Sequence, residues 1–378
     1  MRCLPRSVSS FKQASTASNV VSLPLSVVVP VRNGASTIGP ALTAIRASQL
    51  SAEDYELIVV DDGSSDRSAT IAARHADIVI RLSGRRAGPA YARNRGAEMA
   101  RGEVIAFVDQ DVVVRPETLT GMIAALANQP GLDAVSASHD DTPGESNFVS
   151  QYWTLLLHFG EQRYAGVSAH FNSACGAVRR SALMSAGMYD EWRFETGCLE
   201  SLELGQRLHD RGRGLLLSHE LQVTHLKRWS FASVCQEVWQ RSALLSRSLG
   251  YRRTWATVPS EVVFTLSRAA VPALAVVGIL VLTASFLPNR SLSAEWAVAV
   301  AAVLLSNATV GRYYARARGL GFAVAAAPLH IVVQGVAGVA LCTGWLLRDA
   351  IGDRLPEATI QAYSEVGLEM WPPVPRRP

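Results

Sequence analysis

Four short runs rich in β-branched residues, each handing over to a polar turn, constrain this chain more than any other feature. Leu25–Val29 ends in Pro30 and Arg32-Asn33-Gly34, and Glu56–Val60 ends in Asp61-Asp62-Gly63-Ser64-Ser65-Asp66. Asp77–Leu82 gives way to a loop with Arg85, Arg86 and Gly88, and Val104–Val108 runs into Asp109-Gln110-Asp111. Such runs suit strands buried on both faces, as in a parallel sheet covered by helices. Helical patterns fall between them. Ser36 or Thr37 is placed to cap a helix with Ile38, Leu42 and Ile45 on one side, Asp66 to cap the next, and a third spans Pro89–Ala100. This alternation predicts an α/β fold, a doubly wound, mostly parallel sheet flanked by helices. Such sheets bind ligands at the carboxyl ends of their strands, where the acidic clusters lie.

Composition changes along the chain. Up to about residue 255 charged and apolar residues mix as in a soluble enzyme, whereas from Ala269 long apolar runs carry almost no acid. Ala269–Leu287 has no charge over 19 residues, enough to cross a bilayer core at about 1.5 Å per residue. Trp296–Val310 is shorter; Leu320–Leu347 is longer but interrupted by Pro328, His330 and Gln334, which leaves open a kinked re-entrant hairpin. Arg252, Arg253 and Arg268 precede the first run, and Arg312, Arg316 and Arg318 separate the second from the third. By the positive-inside rule the N-terminal domain and the loop at 311–319 face the cytosol, in a multi-pass membrane protein. Arg2, Arg6 and Lys12 are followed by no apolar core of the kind a signal peptide needs. The expected layout is a tail over 1–23, an α/β domain over 24–240, an interfacial helix over 241–268, two or three transmembrane helices over 269–348, and a charged, Pro-rich tail over 349–378.

The net charge of +4 is mild, and the arginines do not alternate with aromatics, so no nucleic-acid partner is expected. Five scattered cysteines without a C-x-x-C pair support neither a zinc site nor a disulfide framework. No G-x-G-x-x-G follows the first strand, which disfavours a dehydrogenase.

Asp109 and Asp111 flank one residue at a strand end, a spacing that presents both carboxylates to one divalent cation, Mn2+ or Mg2+. With this pair, Leu25-Ser26-Val27-Val28-Val29-Pro30-Val31-Arg32-Asn33, Val59-Val60-Asp61-Asp62-Gly63-Ser64-Ser65-Asp66, Gly88-Pro89-Ala90-Tyr91-Ala92-Arg93-Asn94 and Phe107-Val108-Asp109-Gln110-Asp111 resemble the opening of family 2 glycosyltransferases. The resemblance, weaker from there to about residue 240, implies a GT-A fold and a nucleotide-sugar donor, UDP- or GDP-linked. It implies that Asp62 binds the base, that Pro30 and Arg32 lie along the nucleoside, and that Arg93 approaches the nucleotide. Asp111, helped by Asp109, then holds the metal.

Ser173-Ala174-Cys175-Gly176-Ala177-Val178-Arg179-Arg180 resembles the family's acceptor-side segment. The family usually has Glu-Asp before an acidic helix, the Asp serving as base of an inverting displacement; here Leu199-Glu200-Ser201-Leu202-Glu203 puts Ser201 at that place. A serine hydroxyl cannot act as a general base near neutrality. Either a neighbour serves, Glu200 first and Glu203 second, or activity is lost, or the acceptor is already an anion, such as polyprenyl phosphate. Glu203 stands four residues before Arg207, so an ordinary ion pair explains it equally well. His225-Leu226-Lys227-Arg228-Trp229 resembles a segment of a membrane-anchored branch of the family. The resemblance makes His225 a candidate third metal ligand, against a hydrogen-bonded interior histidine. Lys227 and Arg228 are candidates for diphosphate or headgroup contacts, and Trp229 for acceptor stacking or the bilayer interface. These features predict a metal-dependent, inverting glycosyltransferase with a lipid-like or membrane-associated acceptor; the alternative is a catalytically silent, sugar-nucleotide-binding or scaffolding relative. The Gln-x-x-Arg-Trp motif of processive synthases is not present as such.

Overall fold

The computed structural model describes residues 25–82, 88–167, 170–191, 199–249 and 305–351. The apolar run at 269–287 and most of that at 296–310 lie outside them, as do both terminal tails.

A mixed sheet forms the centre. β1 (Leu25–Val31), β2 (Tyr55–Asp61), β3 (Ile78–Arg81) and β4 (Val104–Val108) are parallel, in the order β3-β2-β1-β4. The sheet continues through β8 (Cys175–Arg179), β6 (Leu132–His139), β9 (Gly214–His225) and β5 (Val112–Val114), with β7 (Gly166–Val167) also on β9. β8 runs against β4 and β6, and β5 and β7 run against β9, so the sheet is mixed in its second half. The first two strands are longer than the apolar runs suggest, because ladder pairing carries both on to Val31 and Asp61.

Side chains alternate across the sheet as strand geometry requires. Leu25, Val27, Val29 and Val31 face α1 (Ile38–Arg46) and α4 (Thr118–Asn128), whereas Val28 joins α3 (Pro89–Met99), α6 (Arg180–Ala186) and α7 (Glu200–Asp210). Each such fully buried aliphatic side chain is worth about 1.5–3 kcal/mol. α3 lies so close on β1 that a Cβ on Gly96 would come within 2.3 Å of Val28 Cγ1. Ile38, Leu42 and Ile45 are buried as the helical spacing predicts. Neither predicted cap bonds the helix in the expected way. Thr37 is the N-cap but its hydroxyl donates to Gly34 O, and Asp66 sits one residue outside α2 (Ser68–Ala72), whose N-cap is Arg67. Asp66 instead accepts from the backbone of Ala35 and Ser68, tying the turn after β2 to the turn after β1.

A second, smaller core lies beyond the sheet. α5 (Phe148–Tyr164), α8 (Phe231–Leu249), α9 (Ala308–Arg318) and α10 (Leu320–Ile351) meet around Tyr152, Trp153, Trp229, Val234, Tyr314 and Val333. α8 runs without a break across residue 240, where the sequence suggests a boundary. α10 is one helix through Pro328, which removes the re-entrant hairpin. His330 and Gln334 do not break it because they are buried and bonded: His330 Nδ1 pairs with Tyr152 Oη at 2.9 Å, and Gln334 Nε2 donates to Asn307 Oδ1 at 2.7 Å. Leu320–Leu347 is long and apolar enough to cross a membrane, the one such helix among the described residues, and Leu320, Val324, Trp345 and Leu346 expose more than half of their surface.

Candidate active site

The carboxyl ends of β1, β2 and β4 open onto a cleft of about 390 Å³. Pro30, Arg32, Asp62, Arg93, Asp109, Gln110 and Asp111 line its first half. Arg32 Nη1 donates to the backbone carbonyl of Asp62 at 2.6 Å, and Gln110 Oε1 accepts from Arg32 N at 2.9 Å, so the turns after three strands hold one another. Asp62 Oδ2 accepts from Gly88 N at the start of α3.

Arg93 is the electrostatic centre of this half. Its guanidinium is 4% exposed and donates to Asp109 Oδ1 at 2.7 Å and Glu200 Oε1 at 2.8 Å. Burial alone would weaken its hold on its proton, but Asp109 and Glu200 outweigh that and raise its pKa. Burial pushes the Asp109 carboxyl up, and Asp111 adds to this, against the pull of Arg93. For Asp111 burial also pushes upward, but His225 and Lys227 more than offset it and leave the carboxyl below its usual range.

Long-range strand pairing brings His225 here. In the antiparallel register of β5 on β9, Val112 faces His225, and Leu226 N donates to Asp111 O at 2.7 Å. His225 Nε2 then lies 3.3 Å from Asp111 Oδ2. Two donors in neighbouring positions around an ion at about 2.1 Å stand about 3 Å apart, so this pair fits one octahedral cation. His225 Nδ1 is buried and has no hydrogen-bond partner among the described residues. Among the described residues no group of three His, Cys, Asp or Glu could hold an ion by itself. The cleft lining carries six carboxylates (Asp62, Asp109, Asp111, Glu161, Glu200 and Glu237) against four permanent cations (Arg32, Arg93, Lys227 and Arg241). That excess would repel a diphosphate, and it fits a cation that completes its shell with ligand oxygens.

The second half was only partly visible in the sequence. β4 pairs with β8 so that Asp109 N donates to Ala174 O, which lays Asn172 and Ser173 beside the acidic turn. Ser201 meets Ser173 hydroxyl to hydroxyl. His139, at the end of β6, is held by Glu161 of α5 at 2.8 Å. Burial pushes the His139 imidazole down, but Glu161 outweighs this and raises it. Trp153 and Trp229 pack at 5.6 Å between ring centroids, and Lys227 Nζ sits 3.9 Å over the Trp229 ring. Glu237 and Arg241 of α8 complete the lining, joined by a 2.6 Å hydrogen bond. Among these, His139, Glu161, Trp153 and Glu237 gave no local signal, because only tertiary packing brings them to the cleft.

Three sequence expectations are corrected. Glu203 lies off the cleft, its carboxylate held by Arg207. Arg228 is exposed, 3.9 Å from Glu145, and does not line the cleft. Trp229 is buried against Trp153 and so is not at a bilayer surface. Glu200 does line the cleft, but one oxygen is taken by Arg93 and the other is buried without a partner among the described residues.

A parallel half-sheet flanked by helices and extended by mixed strands is the GT-A arrangement. The mannosyltransferase PcManGT from Pyrobaculum calidifontis, solved with GDP-Man and Mn2+, shares the fold with a TM-score of 0.57 over 84% of this chain and 87% of its own, at 18% identity. Residues 26–186 match the family described as Glycosyl transferase family 2. Glycosyltransferase AglE of Haloferax volcanii is 30% identical over 208 residues, 54% of this chain and 67% of that protein. The pre-mycofactocin glycosyltransferase of Mycobacterium tuberculosis is 31% identical over 220 residues, 54% of this chain and 44% of its own length. A dodecaprenyl-phosphate galacturonate synthase of Rhizobium johnstonii is 34% identical over 114 residues, 28% of this chain and 33% of its own. The chain therefore belongs to glycosyltransferase family 2. It spans less than half the length of the last two relatives.

Proposed function

We propose that this glycosyltransferase moves a sugar from a UDP- or GDP-sugar to a lipid-like acceptor at a membrane, with inversion at the anomeric carbon and a divalent cation in the donor half of the cleft. The observation that carries the reading is the Asp111–His225 pair, 3.3 Å apart in a cleft with more carboxylates than cations. Asp111 and His225 would hold Mn2+ or Mg2+. Such an ion supplies charge neutralisation on the departing diphosphate. Asp62 and Arg32 bind the nucleoside end, while Arg93 fixes Asp109 and Glu200 so that neither swings into the donor. The names of relatives that act on dodecaprenyl phosphate or bind GDP-Man with Mn2+ support the substrate classes.

Glu200 holds Arg93 in this reading and Glu203 holds Arg207, so neither is kept as the base. In this reading the apolar face of α10 seats the chain in the bilayer, and the positive-inside rule applied to Arg312, Arg316 and Arg318 puts the cleft on the cytoplasmic side. The test is Mn2+-dependent turnover of a panel of UDP- and GDP-sugars by detergent-purified protein. Asp111→Ala is expected to lower turnover about a thousandfold and to weaken Mn2+-dependent donor binding read by calorimetry. Unchanged turnover and binding in that variant would remove the metal role. Donor binding without turnover by the wild type would favour the silent relative.

A further inference from the structure

Among the described residues, α10 leaves one apolar face exposed along its whole length. Leu320, Val324, Ile331, Val339, Trp345 and Leu346 fall within about 120° of arc, at about 100° per residue. Ala326, His330, Val333 and Ala337 are buried on the opposite side. That buried side is held to helices of the catalytic part at both ends and in the middle. Phe322 meets Phe148 of α5 at 5.1 Å between ring centroids, His330 bonds Tyr152, and Gly344 lies against Ala243 and Ser246 of α8. From Phe322 to Gly344 is about 33 Å of helix, as much as the hydrocarbon core of a bilayer is thick. Only α8 separates α10 from the cleft. Glu237 and Arg241 line the cleft, and Ala243 and Ser246 stand roughly 120–180° round the same helix. Were α10 to cross the hydrocarbon over this length, it would carry α8, the Glu237–Arg241 pair and the Arg228–Glu145 pair beside the start of α5 in with it. Ionised groups are expensive there.

From this we infer that α10 does not cross the membrane but lies in its plane, and that its exposed face is the surface by which the chain docks on the upper acyl chains of one leaflet. The inference rests on the membrane part of the reading above and gives it a geometry. No Asp, Glu, Lys or Arg interrupts residues 320–347, so the face is apolar from end to end. Its edge is basic. Arg312 and Arg316 are exposed one turn apart on α9, have no ion-pair partner among the described residues, and lead into α10 through Gly319. They match the negative charge of anionic headgroups. Trp345, near the other end, is a side chain of the type that settles at headgroup level. A helix apolar on both sides is what this placing needs, with protein against one side and lipid against the other, so its composition does not require a crossing.

The experiment uses the full chain in vesicles of equal parts phosphatidylcholine and phosphatidylglycerol. The chain carries Cys3→Ser, Cys235→Ser and Cys342→Ser, with the buried Cys175 left in place. Nitroxide labels are attached one at a time through Val324→Cys, Ile331→Cys, Val339→Cys and Leu346→Cys. Their depth is read from collisions with oxygen and with a water-soluble nickel chelate. All are expected about 5–10 Å below the phosphates and within about 5 Å of one another. A crossing helix would spread them over about 30 Å, with the central labels at the midplane, and would overturn the inference. Labels shielded from both reagents would overturn it too, because another stretch of chain or a second copy would then cover the face. Labels freely accessible from water would do the same. Val332→Cys replaces any variant that loses cooperative unfolding in detergent. A chain that fails to float with the vesicles would instead remove the membrane reading on which the inference rests.

Discussion

The two halves of the cleft are built by different rules. The donor half stands mainly on the ends of parallel strands, and its residues other than His225 come from short motifs within the first 111 positions. The acceptor half is gathered from β6, α5, the segments at 170–174, 199–202 and 227–229, and α8. The helices of that second half also pack on α10, the membrane-length helix, so the shape of this half depends on the C-terminal part.

Arg93 joins the halves, and its loss gives the largest expected effect. Arg93→Ala would leave Asp109 and Glu200 close together and uncompensated, at a cost of about 3–5 kcal/mol in chemical denaturation. A cost under about 1 kcal/mol would mean that the two halves are held together by other contacts.

Behind Arg93, Asn94 Nδ2 donates to Glu191 at 2.6 Å and to Tyr189 O at 3.0 Å, bracing α3 against the segment after α6. Burial pushes the Glu191 carboxyl up to about 7, against the pull of Asn94 and Arg95. Between its ordinary value of 4.5 and about 7 the folded chain binds a proton that the unfolded chain has released, so stability falls as pH rises through this window and levels off above it. Glu191→Gln should flatten that slope, gaining about 1–3 kcal/mol at pH 8 relative to pH 4.5 in urea titrations. An unchanged slope would exclude Glu191 as its source.

The smallest effect is expected on the acceptor side. Tyr152→Phe removes the 2.9 Å bond to His330 and leaves a buried imidazole nitrogen unpaired, at about 1–2 kcal/mol. It should lower acceptor kcat/KM severalfold and leave donor Kd unchanged. A matching change in donor Kd would break the distinction between the halves.

The same division explains what could be read from the sequence. Strand runs at 25–29, 56–60 and 104–108 and the residues after them were legible because β-branched runs and acidic turns are local signals. Asp111 was legible for the same reason. Its partnership with His225 depends on the register of a three-residue strand against β9, which no periodicity encodes. Glu203 could be placed at four residues before Arg207, but whether it faced the cleft or its ion-pair partner was settled only by the packing of α7. His139 and Glu161 come together from a strand end and a helix, 22 positions apart, and neither carries a motif. Trp229 read as an acceptor-stacking or interfacial residue, because an indole suits both places, and its burial against Trp153 comes only from tertiary packing.

The crossing of α8 and α10 has a further consequence. At Gly344 the helices come so close that a Cβ would fall 2.4 Å from Ala243 O, which fixes α10 to the helix that carries Glu237 and Arg241. With α10 seated in a bilayer as proposed, the cleft is held at a constant height above the lipid and cannot leave the plane. Encounter with a lipid acceptor then becomes a two-dimensional search. Its rate follows the mole fraction of acceptor in the membrane and is diluted by added bulk lipid, while the water-soluble donor continues to obey its concentration in solution.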